Sequence, residues 1–228
     1  MKNYLKKNQS KPKIENYIYN RIVVFEKNKL PDHISISKII NFLEQKIPKH
    51  LFQNIDYVFI GEDPEFEKRK INAFYKDSAI YTTHLQDNEE DLIDDIVHEL
   101  AHSIEEMYGS EIYSDSKLEN EFLRKRMRLY NNLLYDGEKV KQKDFINPEY
   151  SWEFDKFLMN EIGYDKLEIN CQDLFPSPYS VTSLREYYAV GFEEFFLGDR
   201  EHLSKLCPIL FSKIKMLGDL EDGIYLYN

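Results

Sequence analysis

The stretch Asp87-Asn-Glu-Glu-Asp-Leu-Ile-Asp-Asp-Ile-Val-His98-Glu99-Leu-Ala-His102-Ser-Ile-Glu-Glu-Met-Tyr-Gly109 decides how this chain is read. Its apolar residues Leu92, Ile93, Ile96, Val97, Leu100, Ile104 and Met107 recur at helical spacing and fall on one side of a helical wheel. His98 and His102 point away from the middle of that stripe and stand one turn apart, so both imidazoles can reach one ion. Glu99 lies beside them, toward the edge of the stripe. The helix is expected to begin near Asp87, with Glu90 completing a capping box. Its acidic run Glu89, Glu90, Asp91, Asp94 and Asp95 suits the positive end of the helix dipole, and Gly109 is expected to end it. A buried back and two outward histidines are what a zinc protease needs. Zinc is the ion expected of two histidines completed by a carboxylate and water. Glu99 is the expected base, activating a zinc-bound water and returning the proton to the leaving amine. The oxyanion that forms needs a further donor.

The third ligand must come from elsewhere. After His102 the chain reads Ser-Ile-Glu-Glu-Met-Tyr-Gly109, which lacks the third histidine of the longer zinc-protease motif. A carboxylate on a later helix is therefore expected. Glu186 is the first choice, in Tyr179-Ser-Val-Thr-Ser-Leu-Arg-Glu186-Tyr-Tyr-Ala-Val-Gly-Phe-Glu-Glu-Phe-Phe196. Glu193 and Glu194 are rivals, Glu193 being on the same helix face. Ser183-Leu-Arg-Glu186 is also a capping-box pattern, so Glu186 has a purely local use open to it.

Together these two stretches resemble the anthrax lethal factor catalytic domain and the related clostridial Pro-Pro endopeptidases, gluzincin-type zinc metallopeptidases. The family pattern is a His-Glu-x-x-His helix followed by two acids and a Gly. A Tyr, six residues and a ligand Glu leading aromatics come later. The resemblance implies that His98, His102 and Glu186 bind one catalytic zinc, that Glu99 is the base and that Tyr179 donates to the oxyanion. It sets Glu105 and Glu106 on the acidic pair, either as partners of the ligands or as a solvated helix face. It implies an extended protein or peptide substrate, Pro-containing or basic, and a toxin-like effector role. Two departures are visible: Ala101 replaces a Gly, and Val190 stands where lethal factor has another acid. The long spacing from His102 to Glu186 implies a helical insertion over about 110–170. In zincin folds an edge strand pairs with the substrate backbone, and by this resemblance residues 78–84 take that role, the other reading being an internal hairpin strand.

The rest of the chain is consistent with an α+β, zincin-like domain. Residues 20–26 and 56–61 read as strands around a helix with Ile36, Ile39, Ile40, Leu43 and Ile47, ended by Pro48. Short strands are expected over 70–75 and 78–84, turning at Lys76-Asp77. Helices are expected to follow up to Gly137, over 147–162, about 183–197 and 200–217, with a loop over 171–182. The expected layout is a flexible basic arm, 1–16, and one domain, 17–228. That domain would have a small twisted mixed sheet, an active-site helix and a mostly helical C-terminal half.

Composition narrows the function. The 228 residues carry a formal net charge of −11, which argues against binding nucleic acid or an anionic membrane surface and suits a basic peptide. No window offers the ~20 apolar residues of a membrane span. The basic start, Met1-Lys-Asn-Tyr-Leu-Lys-Lys, has no apolar stretch behind it. As written, the chain is expected in the cytoplasm unless another route exports it. Cys171 and Cys207 are too few for a disulfide framework. Two alternatives accompany the endopeptidase reading. One is an intracellular regulatory zinc protease with its third carboxylate between about 120 and 135. The other is a catalytically silent zincin-like binding domain, which should have lost ligands.

Overall fold

A computed structural model describes residues 16–220. The expected arm lies outside the described residues except for Asn16, which begins a strand. The chain divides into two compact units, Met1–Leu100 and Ala101–Asn228, the boundary falling inside one continuous helix.

In the first unit β1 (Asn16–Ile18) and β2 (Ile22–Glu26) form a hairpin whose turn residues Tyr19 and Asn20 both take positive φ. Helix α1 (Ile36–Lys46) leads through a 3-10 turn (Lys49–Phe52) to β3 (Tyr57–Ile60). Helix α2 (Pro64–Arg69) had no counterpart in the sequence reading, although Asp63 accepts from the Glu65 N–H and Pro64 opens the first turn. Strands β4 (Ala73–Lys76) and β5 (Ala79–Thr82) follow, joined at Asp77 and Ser78 with φ of 51° and 60°. That is a primed hairpin turn, built without glycine and one residue later than expected.

The sheet order is β1-β2-β3-β5-β4, with β2, β3 and β5 parallel and the two edges antiparallel. This corrects the expectation for residues 78–84. β5 is paired on both sides, and the edge next to it is β4. Alternation explains the faces: Ile22, Val24, Val58, Ile60, Ile80 and Thr82 are buried on one side. On the other, Phe25, Phe59, Tyr81 and Phe74 are register partners across four strands. Their rings stack at 5.1, 5.0 and 4.6 Å. Those spacings match the distance between strands, so the ladder fixes the register.

Helix α3 (Glu89–Tyr113) crosses the unit boundary. It starts two residues after the expected Asp87: Asn88 Oδ1 accepts from the Asp91 N–H at 2.8 Å, so the capping pair is Asn88 and Asp91. Gly109 does not end it. The backbone kinks at Tyr108 (φ −116°, ψ 22°) and runs on to Tyr113. Of the predicted stripe, Leu92, Ile93, Ile96, Val97, Leu100 and Ile104 are buried, whereas Met107, just before the kink, is 40% exposed.

The regular elements described in the second unit are all helical, with no strand among the described residues. Helix α4 (Lys117–Tyr135) ends at Gly137, whose φ of +84° lets the chain reverse. The single helix expected over 147–162 is instead α6 (Trp152–Phe157) and a π turn (Leu158–Ile162), preceded by the short α5 (Gln142–Phe145). Ser151 caps α6 at the Phe154 N–H, which sets the later start. Then come α7 (Tyr164–Cys171), a 3-10 turn (Tyr179–Val181), α8 (Leu184–Phe196), α9 (Arg200–Leu206) and α10 (Pro208–Gly218).

Three buried charges on α4 organise this unit. Glu121 accepts from the Ile209 and Leu210 N–H groups at the start of α10 and from Tyr187 Oη, at 2.9, 3.0 and 3.0 Å. Lys125 Nζ donates to the carbonyls of Leu174 and Leu206, the latter ending α9, both at 2.7 Å. An acid thus meets a helix N-terminus and a base a helix C-terminus. Arg126, fully buried, donates to the Asp144 and Asn147 carbonyls and lies 4.4 Å from the centre of the Phe154 ring. Burial pulls its guanidinium down to about 10. Cys171 and Cys207 are buried free thiols. No helix among the described residues is long and apolar enough to cross a membrane.

Candidate metal centre

The buried stripe on α3 fixes which way its other face points, and that face carries His98 and His102, both half-buried. Ser183 caps α8 by accepting from the Glu186 N–H at 3.1 Å, which holds Glu186 in the first turn. This is the Ser183 half of the capping-box pattern, and the Glu186 carboxylate also faces His102. Its Oε2 lies 3.7 Å from His102 Nε2. Ligand atoms of His98, His102 and Glu186 all fall within 4.8 Å of one another.

The donor set and its spacing fit zinc. Donors about 2.0–2.2 Å from a tetrahedral ion sit roughly 3.3–3.6 Å apart, close to the 3.7 Å between His102 Nε2 and Glu186 Oε2. His102 also has the required orientation. Its Nδ1 is 2.8 Å from Glu105 Oε2, leaving Nε2 toward Glu186. A carboxylate on one ring nitrogen fixes the tautomer and makes the other a better ligand. Glu105 is itself held: Tyr113 Oη donates to Oε1, and Arg185 Nε lies 3.4 Å from Oε2. Burial, and after it the Glu105 charge, hold the Tyr113 phenol far above its ordinary range, so it remains a donor.

Glu99 is buried at 8% exposure, and its Oε2 accepts from the Tyr75 N–H of β4 at 2.7 Å. In an antiparallel ladder alternate residues turn their N–H groups outward. The base expected from the sequence is thus tied to the edge strand. One turn earlier, Asp95 accepts from Gln86 Nε2 at 2.7 Å and Thr82 Oγ1 at 3.2 Å, and burial pushes its carboxyl up.

The other expectations divide. Tyr179 is 43% exposed on the 3-10 turn that leads to α8, its carbonyl accepting from Thr182 Oγ1 at 2.8 Å. The acidic pair separates: Glu105 is buried against His102, while Glu106 faces outward. Glu194 accepts from the Asp199 N–H, and neither it nor Glu193 belongs to the metal-capable group found among the described residues. Glu121 is the sole acid in 120–135, and Tyr187 and α10 occupy its carboxylate. Tyr75, Tyr113 and Arg185 went unnoticed in the sequence. Tyr75 acts through a backbone N–H, which any residue but proline carries, and Tyr113 meets Glu105 from beyond an unforeseen kink. Arg185 had one available signal, its place next to a candidate ligand. Comparison of the chain with protein-family models, with curated proteins and with solved structures finds no match in any of the three.

Proposed function

We propose that this chain is a zinc-dependent endopeptidase of zincin-like fold, related to the lethal factor and Pro-Pro endopeptidase type. The observation that carries the reading is the convergence of His98, His102 and Glu186 ligand atoms, 84 residues apart in sequence at the widest step from His102 to Glu186. His98 and His102 would hold the ion through one ring nitrogen each and Glu186 through a carboxylate oxygen. A zinc ion there supplies Lewis acidity toward the attacked carbonyl and toward water. The chain's own groups do the rest. Glu99 takes a proton from the attacking water on its carboxylate and gives it to the leaving amine. Tyr179 is the proposed oxyanion donor, on the strength of its spacing to Glu186. Glu105 keeps His102 oriented.

The substrate is proposed to be an extended peptide that pairs with β4, the edge strand whose Tyr75 N–H meets Glu99. A net charge of −11 favours basic peptides. Two observations weigh against the alternatives. The regulatory-protease reading needs an acid from 120–135 at the metal, and Glu121 is engaged elsewhere. A silent binding domain would be expected to lose ligands, and His98, Glu99, His102 and Glu186 are all present.

Elemental analysis of purified protein, followed by cleavage profiling on a peptide library, tests the proposal. One zinc per chain and chelator-sensitive cleavage are expected. Zinc binding with no cleavage across the library would remove the peptidase reading, and no binding at all would remove the metal centre too.

A further inference from the structure

We infer that Tyr113 and Arg185 are positioning residues for the metal centre, acting through Glu105. The inference rests on the metal reading above and adds to it a set of residues that do not touch the ion. Glu105 has a side chain only 5% exposed, and it is reached from three directions. His102 Nδ1 lies on Oε2 at 2.8 Å, Arg185 Nε on the same oxygen at 3.4 Å, and Tyr113 Oη on Oε1. A carboxylate with one fixed partner can swing, whereas one held at both oxygens cannot. The direction of the His102 ring, and so of Nε2, is therefore set from behind.

The geometry has a further consequence. Arg185 directly precedes Glu186, so Glu105 links the helix bearing His102 to the residue beside the carboxylate ligand. His102 Nε2 and Glu186 Oε2 face each other across 3.7 Å. The kink at Tyr108 lies between Glu105 and Tyr113, in the segment that carries the Tyr113 hydroxyl to its partner eight residues back. Tyr188, fully buried, has its ring 6.4 Å from that of Tyr113 and closes the back of this group with an aromatic wall.

Zinc affinity, measured by competition with a chromophoric chelator on the full chain, separates positioning from packing. Glu105→Gln is expected to weaken zinc by about 10- to 100-fold, the usual cost of losing a ligand's carboxylate partner. Tyr113→Phe keeps the ring and removes only the hydroxyl, with an expected loss of roughly 3- to 10-fold, and Arg185→Ala, at a more exposed contact, about 2- to 3-fold. Tyr187→Phe is the matched control. It also removes a buried hydroxyl from a carboxylate, but that carboxylate is Glu121, so it should lower the melting temperature and leave zinc affinity unchanged. Equal affinity in the wild type, Tyr113→Phe and Glu105→Gln, with zinc bound by all three, would overturn the inference and leave the metal centre standing. Equal losses in Tyr113→Phe and Tyr187→Phe would also overturn it, as a general effect of loosening. A wild type that takes up no zinc would overturn the metal reading itself.

Discussion

Helices α3 and α4 both bury charge, and they use it in opposite ways. On α4, Glu121, Lys125 and Arg126 are spent on the backbone: helix starts, helix ends and loop carbonyls take up their hydrogen bonds. On α3 and its partners, Glu105 turns to an imidazole, and His102 Nε2 and Glu186 Oε2 stop 3.7 Å apart, too far for a hydrogen bond and near the spacing of two donors on one ion. Buried charge is expensive wherever it occurs. A network that closes on the main chain gives stability, and one that closes on an imidazole leaves a nitrogen available for a ligand.

This contrast can be broken by mutation. The largest effect is expected from Glu99→Gln, whose side chain still accepts from the Tyr75 N–H. Peptide cleavage should fall by about 10²- to 10⁴-fold while zinc content and melting temperature hold. Cleavage at the wild-type rate would remove Glu99 as base. Glu186→Ala should next empty the centre, read as loss of zinc after desalting with little change in apo stability. Retained stoichiometric zinc would send the third-ligand search to other acids.

On α4 the same measurements should reverse. Arg126→Leu leaves the Asp144 and Asn147 carbonyls without their donor and removes a cation from the Phe154 ring. It should cost about 2–4 kcal/mol in denaturant unfolding, with zinc affinity intact in the folded fraction. Glu121→Gln keeps one acceptor for three donors and loses the charge at the α10 N-terminus, for about 1–2 kcal/mol. A shift in zinc affinity at constant stability in either variant would contradict the division between the two helices.

Much of α3 could be read in advance because its information is local. Apolar spacing gave the buried back, and two histidines one turn apart share a face in any helix. The cap shifts by one residue, from Asp87 to Asn88, because both are good caps and only packing chooses between them. The kink at Tyr108 left no sequence mark, since Gly109 suits a stop as well as a bend. The strands near 22–26 and 57–60 were legible from their β-branched and aromatic runs. The three-residue β1 is too short to show a period, and the six-residue α2 buries no side chain, so its Asp-Pro start is its one signal. Strand order was out of reach. A period of two says which face a residue takes, but not which neighbour the strand pairs with; the edge place for β5 came from the resemblance alone, and β4 occupies it.

By itself, the sequence determined that His98 and His102 would stand on the polar side of one helix with Glu99 toward the edge of its apolar stripe, because helical periodicity fixes the relation of residues on neighbouring turns. It also narrowed the distant carboxylate to one short segment, with Glu186 preferred and Glu193 and Glu194 as rivals. Only tertiary structure decided that Glu186 meets His102, that Glu105 rather than Glu106 turns to the imidazole, and that Glu121 serves α10. Each of those outcomes joins residues on different turns or different helices, and side-chain chemistry alone gives every glutamate the same options. Packing chooses among them by deciding which carboxylates lose water and what they meet when they do.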